Sequence, residues 1–374
     1  MADRQRRAYI DWARGLAVLL MIEAHTIDAW TRTSDKHTVL YGYLVILGGF
    51  AAPLFLWLAG LGVVLSATRT AERTGSRAAA VDAAVRRGLE IFILAFLFRL
   101  QAFIVSPGSH PVTIFRVDVL NVMGPAMVAA GLLWAISSRA IGRVAIFAGI
   151  AAIIALATPI VRASPLVNDL PTWLRWYLRP SGEHTTFTLL PWAGFVFAGA
   201  AAGAVLSTAR GSAIERRALR LVGATGAVLM AAGFAAATRP SIYTVPSSFW
   251  TSSPTWFAIR VGILMLALTA LSEVPPASEM AGARGRHRVV GALVRWWQTP
   301  LAALGRASLF VYWIHVELVY GYASWFWRGR LPVWISPAAY ASFTVLMYAM
   351  VVARDRSLAR RAATIPEATA LSQA

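Results

Sequence analysis

Apolar runs of about twenty residues recur along the chain between short polar connectors, which is the length a helix needs to cross a hydrocarbon layer of about 30 Å. Ten can be placed, at roughly 9–30, 41–67, 88–105, 117–137, 143–161, 185–207, 219–238, 255–271, 299–324 and 334–353. The connectors hold most of the proline pairs and arginine clusters. Pro275 with Pro276, then Arg284, Arg286, His287 and Arg288, mark the clearest interhelical loop. At the N-terminus Arg4, Arg6 and Arg7 precede an apolar stretch from Leu16 to Ile22, as in a signal peptide. No small-residue cleavage site follows, however, and His25 and Asp28 stand where the apolar region should end, so an uncleaved first span is expected. The pattern predicts an all-α polytopic membrane protein, with a single transmembrane domain over 1–355 and a short, poorly ordered cytoplasmic tail over 356–374.

Composition supports that reading. Hydrophobic residues make up 58% and charged residues 14% of the 374, against about 25% charged in ordinary soluble domains, which excludes that class. Basic residues outnumber acidic ones 35 to 17, but they interrupt apolar runs instead of forming one patch, so nucleic acid is not the expected partner. Twenty-two of them lie in alternate segments counted from the N-terminus and nine in the intervening loops, the bias that marks cytoplasmic loops. About ten transmembrane helices with both termini cytoplasmic fit this distribution. The remaining four, Arg14, Arg99, Arg260 and Arg306, lie within or at the edges of spans. There is no cysteine, which removes disulfides, thiolate metal sites and a cysteine nucleophile. Lys36 is the only lysine, a usage that fits a high-GC bacterial source and hence a bacterial cytoplasmic (inner) membrane.

Ionisable groups inside an apolar span are costly and need a partner or a water-filled cavity. On a wheel of 100° per residue the first helix carries Asp11, Arg14, His25 and Asp28 on one 100° face, with Glu23 pointing away as a helix-pairing residue. Asp11 can pair with Arg14, and at the same spacing Asp28 can orient the His25 imidazole. In the ninth stretch, taken as one helix, Ser308, Tyr312, His315 and Tyr322 share a face, and His315 falls at a depth similar to that of His25. Asp118 and Asn121 open the fourth helix and Arg260 the eighth. Arg99 is deep in the third helix, and Arg306 lies near the cytoplasmic end of the ninth. An arginine fork suits a phosphate and a buried carboxylate equally, and each polar residue taken alone also serves as interhelical glue. Ser253 before Pro254 reads as a helix N-cap, and Trp192, Trp250 and Trp256 as interfacial residues. No metal site is expected, since no histidines stand at ligand spacing.

Asp11-Trp12-Ala13-Arg14-Gly15, an apolar stretch and then His25 resemble the opening helix of membrane acyltransferases of the acyltransferase-3 type. Pro53-Leu54-Phe55 through Gly60 resembles their second-helix pattern, and Gly305 through His315 is similar to their late-helix motif. Arg116 through Asn121, and Leu190-Pro191-Trp192, look like bacterial relatives of heparan-alpha-glucosaminide N-acetyltransferase. The likeness runs from Arg7 to about Tyr320 and implies a cytoplasmic acyl-CoA donor, commonly acetyl-CoA, with transfer to an amine or hydroxyl of a sugar or envelope-glycan acceptor on the outer side.

In the heparan enzyme the catalytic histidine lies just after the first helix, where His37 stands here, while an asparagine occupies the position of His25. His25 and His37 are therefore both candidates for the base, with His25 favoured by its acidic neighbour. Asp28 would orient that base, and His315 with Tyr312 would stabilise the oxyanion or position the acceptor. Asp11, Arg14, Arg99 and Arg306 are assigned to the CoA end, and Asp118, Asn121 and Arg260 to the acceptor. Direct transfer and a histidine-acyl intermediate both remain open. Expected partners are the lipid bilayer, acyl-CoA and a glycan or amino-sugar acceptor, and a homodimer is compatible with the sequence. The rivals are a proton-coupled secondary transporter, although paired broken helices in corresponding halves are not seen, and a non-catalytic membrane scaffold.

Overall fold

The computed structural model describes residues 7–105, 110–209, 211–276 and 286–371. Thirteen α-helices follow in chain order among them: α1 (Ala8–Trp30), α2 (Val39–Gly48), α3 (Ala51–Thr74), α4 (Arg77–Val105), α5 (Val119–Trp134), α6 (Ala140–Ala163), α7 (Thr172–Leu178), α8 (Leu189–Ser207), α9 (Ser212–Ala237), α10 (Pro254–Ser272), α11 (Arg286–Arg306), α12 (Ser308–Tyr320) and α13 (Ser336–Leu371). The described residues contain no strand, only isolated bridges joining Thr31 to Leu331 and Val117 to Thr185. The all-α class is as expected.

Seven helices are long and apolar enough to cross a membrane: α2 continuing into α3, α4, α6, α8, α9, α10 and α13. The bent pair of α11 and α12 makes an eighth if counted as one span. Apolar side chains face outward from them. On α4, Leu89, Ile93, Leu97, Leu100 and Ile104 form an exposed stripe, while Ala80, Ala84, Gly88, Ile91, Ala95 and Phe98 are buried. Large apolar residues outward, with Ala80, Ala84, Gly88 and Ala95 among the inward ones, is the arrangement lipid favours, because helices in a bilayer associate by close packing rather than by hydrophobic burial. The chain is a multi-pass membrane protein.

Four sequence expectations need correction. The second stretch is broken at Gly49 and Phe50. The ninth is not one helix: α11 and α12 meet at 85° around Ala307, whose φ of −96° and ψ of 14° leave the helical ladder intact on both sides, with Ala307 N–H donating to Ala303 and Val311 N–H to Ala307. At its other end α12 stops at Tyr320, where Gly321 is extended, so Tyr322 leaves the face of His315 for a short 3-10 turn, where it is exposed. Arg286, His287 and Arg288 open α11 instead of lying in a loop, and the chain past Asp355 continues as helix to Leu371. Arg4, Arg6 and Arg284 lie outside the described residues.

The chain divides into two compact units, residues 1–51 with 275–374 and residues 52–274. The second unit is built on backbone-to-backbone crossings. A Cβ on Gly60 of α3 would lie 1.8 Å from the Val196 carbonyl of α8, and one on Gly199 the same distance from the Trp57 carbonyl. Gly88 and Gly124 pack α4 on α5 in the same way. Arg162 at the end of α6 donates to Thr188 and to the Leu190 carbonyl, which fixes the start of α8 beside the cis Leu190–Pro191 bond. In the first unit the breaks around α1 carry the site.

Gly60→Ala and Gly199→Ala should each lower the thermal unfolding temperature in detergent, by a shift equivalent to about 1–3 kcal/mol of overpacking. Gly149→Ala, whose Cβ would meet nothing within 4 Å, should leave it unchanged or raise it slightly.

Candidate functional site

In the first unit α1 and α11 touch through their main chains. A Cβ on Gly15 would meet the Leu301 carbonyl at 2.0 Å, and one on Gly305 the Asp11 carbonyl at 2.0 Å. The Trp12 and Trp297 rings meet edge to face at 5.6 Å across the same crossing. Three of the CoA-end candidates are gathered here. Asp11 is buried and 3.8 Å from the half-exposed Arg14, and exposed Arg306 follows Gly305 at the bend.

Past the bend, α12 runs beside the last turns of α1. Trp30 Nε1 donates to the Val319 carbonyl at 3.2 Å, and the His25 and His315 ring centroids are 5.1 Å apart. His315 is fully buried. Its Nδ1 lies 2.9 Å from the Val311 carbonyl and 3.0 Å from that of Tyr312. Carbonyls only accept, so Nδ1 carries the proton and Nε2 is left as a lone pair, buried and without a hydrogen-bond partner among the described residues. In this neutral form His315 has no N–H to offer an oxyanion. The alternative role, accepting a hydrogen bond from an incoming nucleophile, suits its geometry. The Tyr312 ring lies 6.0 Å from that of His315.

Asp28 does not reach His25 directly. The Tyr320 hydroxyl stands between them, donating to Asp28 Oδ2 at 3.1 Å and lying 3.1 Å from His25 Nδ1. Lys36 Nζ is 3.2 Å from Asp28 Oδ1 and donates to its carbonyl at 2.7 Å. The four side chains form a line from the exposed end of α1 to half-buried His25. His37 stands in the turn after Lys36, exposed. That turn is held by Asp35, which accepts from Arg32 Nε at 2.8 Å and from the Val333 amide at 2.9 Å.

The other candidates belong to the second unit. Asp118 is ion-paired with Arg99, and together with Asn121 it forms a capping box at the start of α5: Leu120 N–H donates to Asp118 Oδ1 at 3.2 Å and Asp118 N–H to Asn121 Oδ1 at 3.0 Å. Thr186 N–H donates to the Val117 carbonyl, which sets Arg116 through Asn121 next to the segment leading into Leu190-Pro191-Trp192. Arg260 lies over the Trp256 ring at 4.6 Å and 5.8 Å from that of Trp192, near Ser253, the N-cap of α10. No cluster of three or more potential metal ligands occurs among the described residues.

Tyr320 and the pairing role of Lys36 were missed in the sequence. Tyr320 lies on the face opposite His315 if the late stretch is taken as an ideal straight helix, and only the docking of the α12 end on Trp30 brings its hydroxyl to α1. For Lys36, uniqueness in an otherwise arginine-only chain was the one available signal.

A family model described as heparan-alpha-glucosaminide N-acetyltransferase, catalytic, matches residues 6–236. No curated protein matches the chain. His25, Asp28, Lys36 and His37 fall inside the matched region, and α12 with His315 and Tyr320 lies beyond it.

The Asp35 carboxyl is held below its ordinary value of 3.8, first by the Arg32 hydrogen bond and then by the Val333 amide. A carboxylate whose pKa is lower folded than unfolded stabilises the fold above the unfolded value, and that contribution disappears as pH falls through the folded one. Thermal unfolding followed from pH 6 to pH 3 should therefore show a steeper acid loss in the parent protein than in Asp35→Asn.

Proposed function

The chain belongs to the heparan-alpha-glucosaminide N-acetyltransferase catalytic family, and from this membership and the paired imidazoles of α1 and α12 we propose a membrane-embedded, acyl-CoA-dependent acyltransferase. The donor is acetyl-CoA or another acyl-CoA from the cytoplasm, and the acceptor is an amine or hydroxyl of a sugar or envelope glycan at the outer side of a bacterial cytoplasmic membrane. Ten spans with both termini cytoplasmic would put the Arg14 and Arg306 crossing at the cytoplasmic end and His25, about 16 Å further along α1, in the outer half. The observation that carries the reading is the meeting of His25 with His315, two histidines from opposite ends of the sequence, with ring centroids 5.1 Å apart.

His25 is the general base. With Nδ1 directed at Tyr320, its basic nitrogen is Nε2, which takes the proton from the acceptor as the acceptor attacks the thioester carbonyl. The tetrahedral adduct collapses by breaking the C–S bond. The CoA thiolate leaves and takes the proton from the imidazolium, so that acylated acceptor and CoA thiol are the only products. His315 Nε2 accepts the second hydrogen bond of an amine acceptor and orients its lone pair toward the carbonyl carbon. Arg14 and Arg306 hold the CoA phosphates, to which a guanidinium fork is suited. Arg99 is ion-paired with Asp118, which caps α5 together with Asn121, and through these contacts the three help to hold α4 and α5 together in the second unit.

With labelled acetyl-CoA and glucosamine, protein in nanodiscs should release CoA and yield labelled acceptor. His25→Ala should lower that turnover by about 100-fold or more without loss of folded protein. His37→Ala should stay near the parent rate. Loss in His37→Ala with an unaffected His25→Ala would place the base in the loop and overturn the assignment.

A further inference from the structure

The interaction of Asp28 with His25 passes through a residue of another helix. We propose that Tyr320 is a positioning residue whose hydroxyl transmits the charge of Asp28 to His25 and fixes the His25 ring as the Nδ1–H tautomer, with Lys36 holding Asp28 from the other side. This rests on the reading of His25 as the base.

The direction of the chain of hydrogen bonds follows from what each group can do. Asp28 is paired with Lys36 at 3.2 Å, and an ionised carboxylate only accepts. The hydroxyl proton of Tyr320 must therefore go to Asp28 Oδ2, 3.1 Å away. The phenol has one proton, so toward His25 its oxygen can only accept, and His25 Nδ1 must donate. The basic lone pair is thereby assigned to Nε2. A direct carboxylate contact would also favour Nδ1–H, but Asp28 is 59% exposed at the side chain and engaged by Lys36, and the phenol reaches from that exposed position to the half-buried imidazole.

Tyr320 is rigidly held for this duty. It is the last residue of α12, whose end is fixed to α1 by Trp30 Nε1 on the Val319 carbonyl. Ser324 Oγ donates to the same carbonyl, and Arg328 Nη1 donates to the Tyr320 carbonyl at 2.9 Å. The charged and titratable groups that the described contacts place around the relay include Asp28, Lys36, Tyr41, His315 and Arg328, and Asp28 accepts the phenol proton. His315 is pinned in the same tautomer by a different device, two backbone carbonyls, so both imidazoles present Nε2 as their basic atom.

Nitrogen-15 NMR of histidine-labelled full-length protein in nanodiscs reads the tautomer directly, with the His25 signals identified by their absence in His25→Gln. The parent protein should show His25 protonated at Nδ1, and Tyr320→Phe and Asp28→Asn should each shift it to a mixture with Nε2–H. In acetyl-transfer assays Tyr320→Phe should lower kcat by about tenfold or more at unchanged KM for acetyl-CoA, with no further loss when added to His25→Ala, because it acts through that ring. Nε2–H in the parent, or a tautomer unmoved by both substitutions, overturns the proposal. A tautomer that moves in a protein with no acetyl transfer upholds the relay and removes the enzymatic reading, so the two fail separately.

Discussion

The contact of α1 with α11, main chain against main chain at Gly15 and Gly305, fixes the geometry on which the site depends. Two helices approach this closely only where neither carries a side chain at the crossing. The approach sets where α11 ends, and the 85° turn at Ala307 then directs α12 beside α1. From that follow the edge-to-face pair of Trp12 and Trp297 on one side of the bend and, on the other, the bond from Trp30 to Val319 and the meeting of His25 with His315. A side chain at either glycine would push these elements apart before any catalytic group was touched.

For the polar groups carried by this scaffold a second consideration applies, that buried donors and acceptors are costly to leave unsatisfied. Asp28, Tyr320, His25 and Lys36 satisfy one another in a line. His315 spends its Nδ1–H on backbone carbonyls and keeps an unpartnered lone pair on Nε2. An acceptor left unsatisfied in a fully buried ring costs stability. It is the feature expected of a group that waits for a hydrogen-bond donor, as an amine or hydroxyl acceptor is.

The membrane class was legible because lipid imposes length and apolarity on every span; the ten apolar stretches fall on helices, of which seven, or eight with the bent pair counted as one, are long and apolar enough to cross a membrane. The stripe of Asp11, Arg14, His25 and Asp28 was legible because helical period alone aligns residues of one uninterrupted helix. What lay between helices was not. The bend at Ala307 has no proline or glycine at the hinge itself and equally apolar sequence on both sides, so periodicity ran straight through it; periodicity likewise ran past the end of α12 at Gly321, whose extended backbone takes Tyr322 off the face of His315. Tyr320 was invisible because on the same helix it lies off the face of His315, and its reach to Asp28 and His25 depends on how the end of α12 docks on α1. Asp118 and Asn121 carried a signal for both readings, since an Asp three residues ahead of an Asn before an apolar run is also a capping pattern. The structure displays the capping geometry. Ser253 ahead of Pro254 shows the same local logic read correctly, because an N-cap depends only on its immediate neighbours.

Acyl transfer across the bilayer is the central claim, and sealed proteoliposomes test it most directly. Glucosamine is enclosed, labelled acetyl-CoA is added outside, and only protein with its cytoplasmic face outward meets the donor. Labelled N-acetylglucosamine should appear inside, with an equal amount of CoA thiol outside and no entry of acetyl-CoA. Movement of glucosamine across the bilayer without release of CoA, or intact folded protein that yields no labelled product, would contradict the account.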